Sequence, residues 1–200
     1  KLAELKKFDG IIVPGGFGGR GVEGKIAAIS YVRTHRIPYL GLCYGMQLAT
    51  VEFARNVAKL SGSVHTGEIL PSAKHQIIHI MPEQEKLMLA QKYGGTMRLG
   101  SYQCLLDKKS ISYRAYKKEL ISERHRHRFE VNNAYREILQ KAGLRIAGTS
   151  PDGKLVEIIE VPNHPFFVGV QFHPEFKSKP LNPHPLFREF IAAATRLRAR

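Results

Sequence analysis

Residues 39–47 read Y-L-G-L-C-Y-G-M-Q, an apolar run that passes directly into a helical pattern with a cysteine at the junction. Pro38 stands just before it, and Tyr39-Leu40-Gly41-Leu42 has the length and character of a buried strand. From 44 to 60, Met46, Val51, Ala54 and Val57 supply apolar positions suited to one face of a helix. Upstream, Gly10-Ile11-Ile12-Val13 is a second short apolar run, stopped by Pro14-Gly15-Gly16. A glycine-rich segment, 15–21, leads to residues 23–35, where Ile26, Ile29 and Val32 recur at helical spacing. Strand, helix, strand, helix with short connections predicts an α/β fold around a parallel sheet.

Beyond residue 60 the texture changes. His75–Met81 and Arg98–Leu106 read as strands, and 108–128 as a basic, irregular stretch. Asn132-Asn133 is placed to cap a helix over Ala134–Ala142 that Gly143 ends. Leu144–Thr149, Lys154–Val161 and Phe166–Phe172 are strand candidates, with Pro151-Asp152-Gly153 turning between the first two. Pro185–Arg200 closes as a helix with Phe187, Phe190, Ile191 and Ala194 on one face. Nothing divides the chain, so residues 1–200 are expected to form one domain.

Composition narrows the class. Two hundred residues, 43% of them hydrophobic, are enough for a core without disulfides or a structural metal. Two cysteines, Cys43 and Cys104, do not make a disulfide framework and suit a reducing cytosol. No stretch approaches the roughly 20 apolar residues of a membrane span, and the N-terminus lacks a signal-peptide core. A cytoplasmic protein without membrane contact is therefore expected. The net charge of +14 invites an anionic partner, nucleic acid first. It is localised: residues 108–128 hold eight basic and two acidic side chains, 177–200 six and one, and 1–7 three and one.

Cys43 carries the chemical argument. A strand-to-helix turn with glycines two residues to either side matches a nucleophile elbow, which aims the sulfur outward at a helix N-terminus. The same cysteine also reads as a small buried hydrophobe. A base and its orienting group are available in F-V-G-V-Q-F-H-P-E-F, residues 167–176, where His173 and Glu175 lie two apart across a stiff proline. Taken alone, H-P-E is equally an ordinary strand end; paired with the elbow, it completes a Cys-His-Glu triad. Val13–Gly18 offers backbone N–H groups for an oxyanion. It could also be a mobile turn or a phosphate loop, although no G-K-[S/T] follows. R-H-R-H-R, residues 124–128, reads as a solvated basic strand or a nucleic-acid patch. His125 and His127 lack cysteine or carboxylate partners at metal-ligand spacing, and Cys104 reads as a packed thiol.

Together V-P-G-G-F-G, G-L-C-Y-G-M-Q and V-G-V-Q-F-H-P-E resemble class I glutamine amidotransferases. M-R-L-G, E-R-H-R-H-R-F-E-V-N-N and Q-F-H-P-E-F-K-S-K-P resemble, more narrowly, the glutaminase domain of CTP synthases. The resemblance implies a three-layer, flavodoxin-like α/β fold with a mostly parallel central sheet and added antiparallel strands. It implies Cys43 as nucleophile, His173 as base and Glu175 as orienter, with the N–H groups of Gly16 and Tyr44 as oxyanion hole. Glutamine-binding positions fall on Gly16, Phe17, Gln47, Glu68 and Arg128. Tyr44 stands where many members have leucine, at a position that contributes backbone.

Further implications concern the rest of such an enzyme. No cofactor is expected in this domain. ATP, Mg and UTP belong to a large N-terminal amidoligase (synthetase) domain with no counterpart in these residues, GTP is the allosteric activator, and the complete enzyme is a homotetramer. The family's glutaminase domain also begins with an earlier strand and helix. The chain therefore reads as a C-terminal fragment with an apolar sheet edge near Ile11–Val13. A basic module binding nucleic acid or an acidic protein is the alternative of another class. An amidotransferase serving a different acceptor is the alternative within this one.

Overall fold

Alternation along two short strands decides the layering. In the computed structural model, which describes residues 2–80 and 97–198, β1 (Ile11–Val13) and β2 (Tyr39–Leu42) are followed by helices α1 (Val22–Thr34) and α2 (Tyr44–Asn56). Then come β3 (Val64–Thr66), β4 (His75–Ile80), β5 (Arg98–Leu106), α3 (Ile111–Tyr116), β6 (Leu120–His127) and β7 (Phe129–Val131). The chain continues through α4 (Arg136–Lys141), β8 (Arg145–Thr149), β9 (Val156–Glu160), β10 (Phe167–Val170) and α5 (Pro185–Arg198). β2 and β10 pair in parallel, Tyr39 opposite Phe167 and Leu40 opposite Val168. Tyr39 and Phe167 point to one face, where they stack at 4.5 Å and join the core under α1 and α2. Leu40 and Val168 point to the other, into a core closed by Ala115 of α3 and by Leu186, Phe190 and Ala193 of α5. A sheet buried on both faces reads as continuous apolar runs, as these two strands do.

The main sheet has the order β1-β2-β10-β9-β8-β5-β6. Parallel pairing is confined to β1, β2 and β10, and the other four pairings are antiparallel. The antiparallel share thus exceeds the expectation of a mostly parallel sheet. A second sheet, β3-β4-β7, lies on the far side of α2. Enclosed between two sheets, α2 buries every residue from Tyr44 to Ala54, polar ones included. Its buried Glu52 accepts two hydrogen bonds from Arg33 of α1, at 2.7 and 2.8 Å. Bidentate pairing of this kind fixes one helix against the other.

Several expectations need correction. Residues 108–128 are ordered into α3 and β6. Along β6, Ile121, Glu123, His125 and His127 are buried while Leu120, Ser122, Arg124 and Arg126 are exposed. The alternation is regular, but polar side chains occupy the inside. On α5 the buried stripe is Leu186, Phe190 and Ala193; Ile191, expected on that face, is 60% exposed. β3 and β7, three residues each, are strands that hydrophobic pattern does not reveal. Met81 and Ala199-Arg200, the ends of two expected elements, lie outside the described residues. Among the described residues no helix is long and apolar enough to cross a membrane.

Removing Arg33 leaves Glu52 charged and buried, so Arg33→Met is expected to cost about 3 kcal/mol of unfolding free energy. Arg33→Met combined with Glu52→Leu is expected to recover most of that loss. Urea denaturation of both variants checks the difference.

Candidate active site

Three parallel strands end at one edge of the sheet, and each delivers part of the site, as open α/β sheets do at their carboxyl edge. β2 delivers Cys43 at φ 47° and ψ −97°, in a region that residues with a Cβ rarely occupy. The neighbouring glycines permit this. A Cβ on Gly45 would run into the carbonyl of Val13, and one on Gly41 would lie 2.8 Å from the Gly45 carbonyl carbon and 2.9 Å from the Met46 nitrogen. The Tyr39 hydroxyl donates to the Gly45 carbonyl at 2.9 Å, and the Cys43 N–H donates to the Val170 carbonyl at 2.7 Å, which ties the elbow to β10.

β10 runs on to His173 and Glu175. His173 Nδ1 lies 2.6 Å from Glu175 Oε1, and its ring stacks on Phe176 with centroids 4.9 Å apart. Burial disfavours the imidazolium, but the nearby Cys43 sulfur and the hydrogen bond to Glu175 outweigh it and push the His173 pKa up to about 9. Burial also works against ionised Glu175, yet the hydrogen bond to His173 holds its carboxyl below the ordinary value. The imidazole lies between sulfur and carboxylate, and both favour its charged form. Gly15, at the end of β1, makes room for it: a Cβ there would come within 2.8 Å of His173 Cε1.

A cavity of about 510 Å³ opens over the sulfur. Cys43, His173, Gly15, Gly16, Phe17, Gln47, Glu68 and Arg128 line it, with Met97, Arg126, His127 and Phe129. Every expected site residue except Glu175 and Tyr44 reaches this cavity; those two stand behind His173 and Gly16. Phe17 is 89% exposed at the rim. Glu68 accepts a hydrogen bond from the Gly18 N–H at 3.1 Å, so it braces the glycine-rich loop as well as facing the cavity. Arg128 Nε is buried without a hydrogen-bond partner among the described residues, an orphan donor suited to an anionic group.

Gln171 is the site residue that motif reasoning misses. Its Nε2 lies 3.5 Å from Cys43 Sγ, and its Oε1 accepts from Gln47 Nε2 at 3.2 Å. Gln47 Nε2 also donates to the Phe129 carbonyl at 2.9 Å, which fixes the amide orientation along the relay. A signal was present: Gln171 lies two residues before His173 on one extended segment, hence on the same side. His125 and His127, considered as metal ligands, instead bond to each other at 3.1 Å, and His127 Nδ1 donates to the Phe129 carbonyl. Burial, aided by the Arg98 charge, pushes their pKa values down to about 2 and about 3, so both are neutral. Arg98 pairs with buried Glu157 at 2.6 Å.

The family model for glutamine amidotransferase class-I matches residues 1–193. The chain belongs to the class I glutamine amidotransferases. Within that family it groups with the glutaminase domains of CTP synthases. CTP synthase of Caldanaerobacter subterraneus subsp. tengcongensis is 59% identical over 194 residues, which cover 97% of this chain and 35% of that protein. CTP synthase of Carboxydothermus hydrogenoformans is 58% identical over 190 residues, which cover 95% of this chain and again 35% of that protein. The chain thus spans about a third of the length of the curated relatives it matches. Among solved structures, the glutaminase domain of Trypanosoma brucei CTPS with bound acivicin superimposes with a TM-score of 0.89 at 43% identity. The match covers 98% of this chain and 74% of that one.

Two outcomes follow from this amidotransferase geometry. Gly45→Ala should cost about 3 kcal/mol in urea denaturation, because the elbow cannot yield to a Cβ. Since the folded pKa of His173 lies above its ordinary 6.5, its contribution to stability is complete below pH 6.5 and is lost as pH rises through about 9. An imidazole NMR titration should place His173 near 9 and show a drop in Glu175→Gln. A wild-type midpoint at or below 6.5 would contradict the charged triad.

Proposed function

We propose that this domain hydrolyses L-glutamine to glutamate and ammonia through a γ-glutamyl thioester on Cys43. The observation that carries the reading is His173 held between the Cys43 sulfur and, at 2.6 Å, the Glu175 carboxylate, at the floor of a cavity ringed by the glycine-rich loop and Arg128. The Cys43 thiolate attacks the carboxamide carbon of glutamine, and the N–H groups of Gly16 and Tyr44 receive the developing oxyanion. The His173 imidazolium gives its Nε2 proton to the departing nitrogen, so ammonia leaves as the C–N bond breaks and the thioester remains. Neutral His173 then takes a proton from water, the resulting hydroxide attacks the thioester, and glutamate leaves as the thiolate and imidazolium are restored. Glu175 holds the imidazole in one tautomer throughout.

Arg128 pairs with the α-carboxylate of the substrate. Gly16, Phe17, Gln47 and Glu68 form the remaining walls of the glutamine site. No cofactor enters these steps. In the enzyme that the family resemblance implies, the ammonia passes to a synthetase domain for ATP- and Mg-dependent amination of UTP to CTP. That enzyme is GTP-activated, homotetrameric and cytoplasmic.

Glutamate release from glutamine tests the reading. Cys43→Ala should abolish it, and turnover at the wild-type rate would end the proposal. Arg128→Lys should keep the charge but lose the planar fork, raising KM about tenfold with a smaller change in kcat.

A further inference from the structure

Tyr44 reaches back from the first turn of α2 to the glycine-rich loop. Its hydroxyl donates to the Gly18 carbonyl at 2.7 Å, and its ring lies against Gly16, where an added Cβ would stand 3.4 Å from Cδ1. The residue is 1% exposed, and Lys25 Nζ sits 5.3 Å from the ring centroid. Gly18 has φ 76°, and its N–H is held by Glu68 while its carbonyl is held by Tyr44. Five of the seven residues from 15 to 21 are glycines, with no side chains to anchor the loop, and Phe17 among them points to solvent. Such a segment is free to take many conformations until bonds of this kind select one.

We propose that the Tyr44 hydroxyl is a latch that holds the glycine-rich loop with the Gly16 N–H presented to the oxyanion. One residue would then set both donors of the hole, its own N–H directly and that of Gly16 through the side chain. Burial, with the negative charge of Glu68 adding to it, pushes the Tyr44 pKa up to about 12, so the phenol stays protonated and remains a donor across the working pH range. Leucine at this position would pack but could not make the bond. The latch rests on the glutaminase reading above and assigns Tyr44 as a positioning residue within it.

Tyr44→Phe removes the hydroxyl and keeps the ring. Loss of an oxyanion donor costs about 10²–10³ in kcat, and loosening one should cost about tenfold in kcat, beyond any rise in KM from the loop's share of the glutamine wall. Alkylation of Cys43 by iodoacetamide, in which the S–C bond forms as iodide leaves, develops no oxyanion and should proceed at the wild-type rate. That contrast separates positioning from general damage: disruption around the buried Cys43 would change its alkylation rate as well as turnover. Tyr44→Leu, which removes ring and hydroxyl, should lose at least as much kcat while keeping the alkylation rate. Wild-type kcat in Tyr44→Phe, or an alkylation rate that shifts in either direction along with the loss of turnover in both variants, would overturn the latch. Either result would leave the glutaminase reading standing, since that reading falls only if Cys43→Ala retains activity.

Discussion

A cysteine with φ 47° and ψ −97° is the constraint on which the rest of the structure turns. Backbone in that region costs of order 1–3 kcal/mol and persists only where the surroundings over-determine it. Here they do so from every side. β10 takes the Cys43 N–H, Tyr39 takes the Gly45 carbonyl, Val13 of β1 closes on Gly45, and the helix that begins at Tyr44 is enclosed by two sheets. The small β3-β4-β7 sheet closes over the other side of α2 and leaves it no freedom to relax. The result is a sulfur raised clear of the sheet at the start of a helix, beside an imidazole that only the absence of a side chain on Gly15 admits.

Charge is distributed by the same packing. His173, His125 and His127 are all buried, yet the pKa of the first is pushed up to about 9 and those of the others down to about 2 and about 3. Desolvation acts against the charged form of each. His173 overcomes it with a carboxylate on one nitrogen and a sulfur at the other, whereas His125 and His127 face the Arg98 cation. Deeper burial and a neighbouring cation together hold His125 and His127 neutral, while its partners favour charge on His173.

The parts of the fold legible in the sequence are those whose local pattern and tertiary role agree. β1, α1, β2 and α2 are readable because apolar runs and helical spacing mark elements buried in the ordinary way, and the triad because each member ends such a run. β6 is not, because its inward positions include Glu123, His125 and His127, so a regular alternation presents itself as a scatter of charges. α3 is only six residues long, and the N–H groups of Ile111 and Ser112 at its start are satisfied by Glu160, far along the chain. β3 and β7 are too short to carry a period and exist because β4 is there to pair with them. In the site, Cys43, His173 and Glu175 follow from motif and chemistry. Gln171 and the Tyr44 hydroxyl act through contacts with segments distant in sequence.

The amide relay also bears on how the site tells a reactant from what it becomes. Gln47 uses Nε2 for both the Phe129 carbonyl and the Gln171 oxygen, so what remains for a bound molecule is its own carbonyl oxygen. An acceptor at that wall welcomes the N–H₂ of a carboxamide and repels the negative oxygens of a carboxylate. Under the glutaminase reading proposed above, that wall favours the amide of the substrate over the carboxylate of the product.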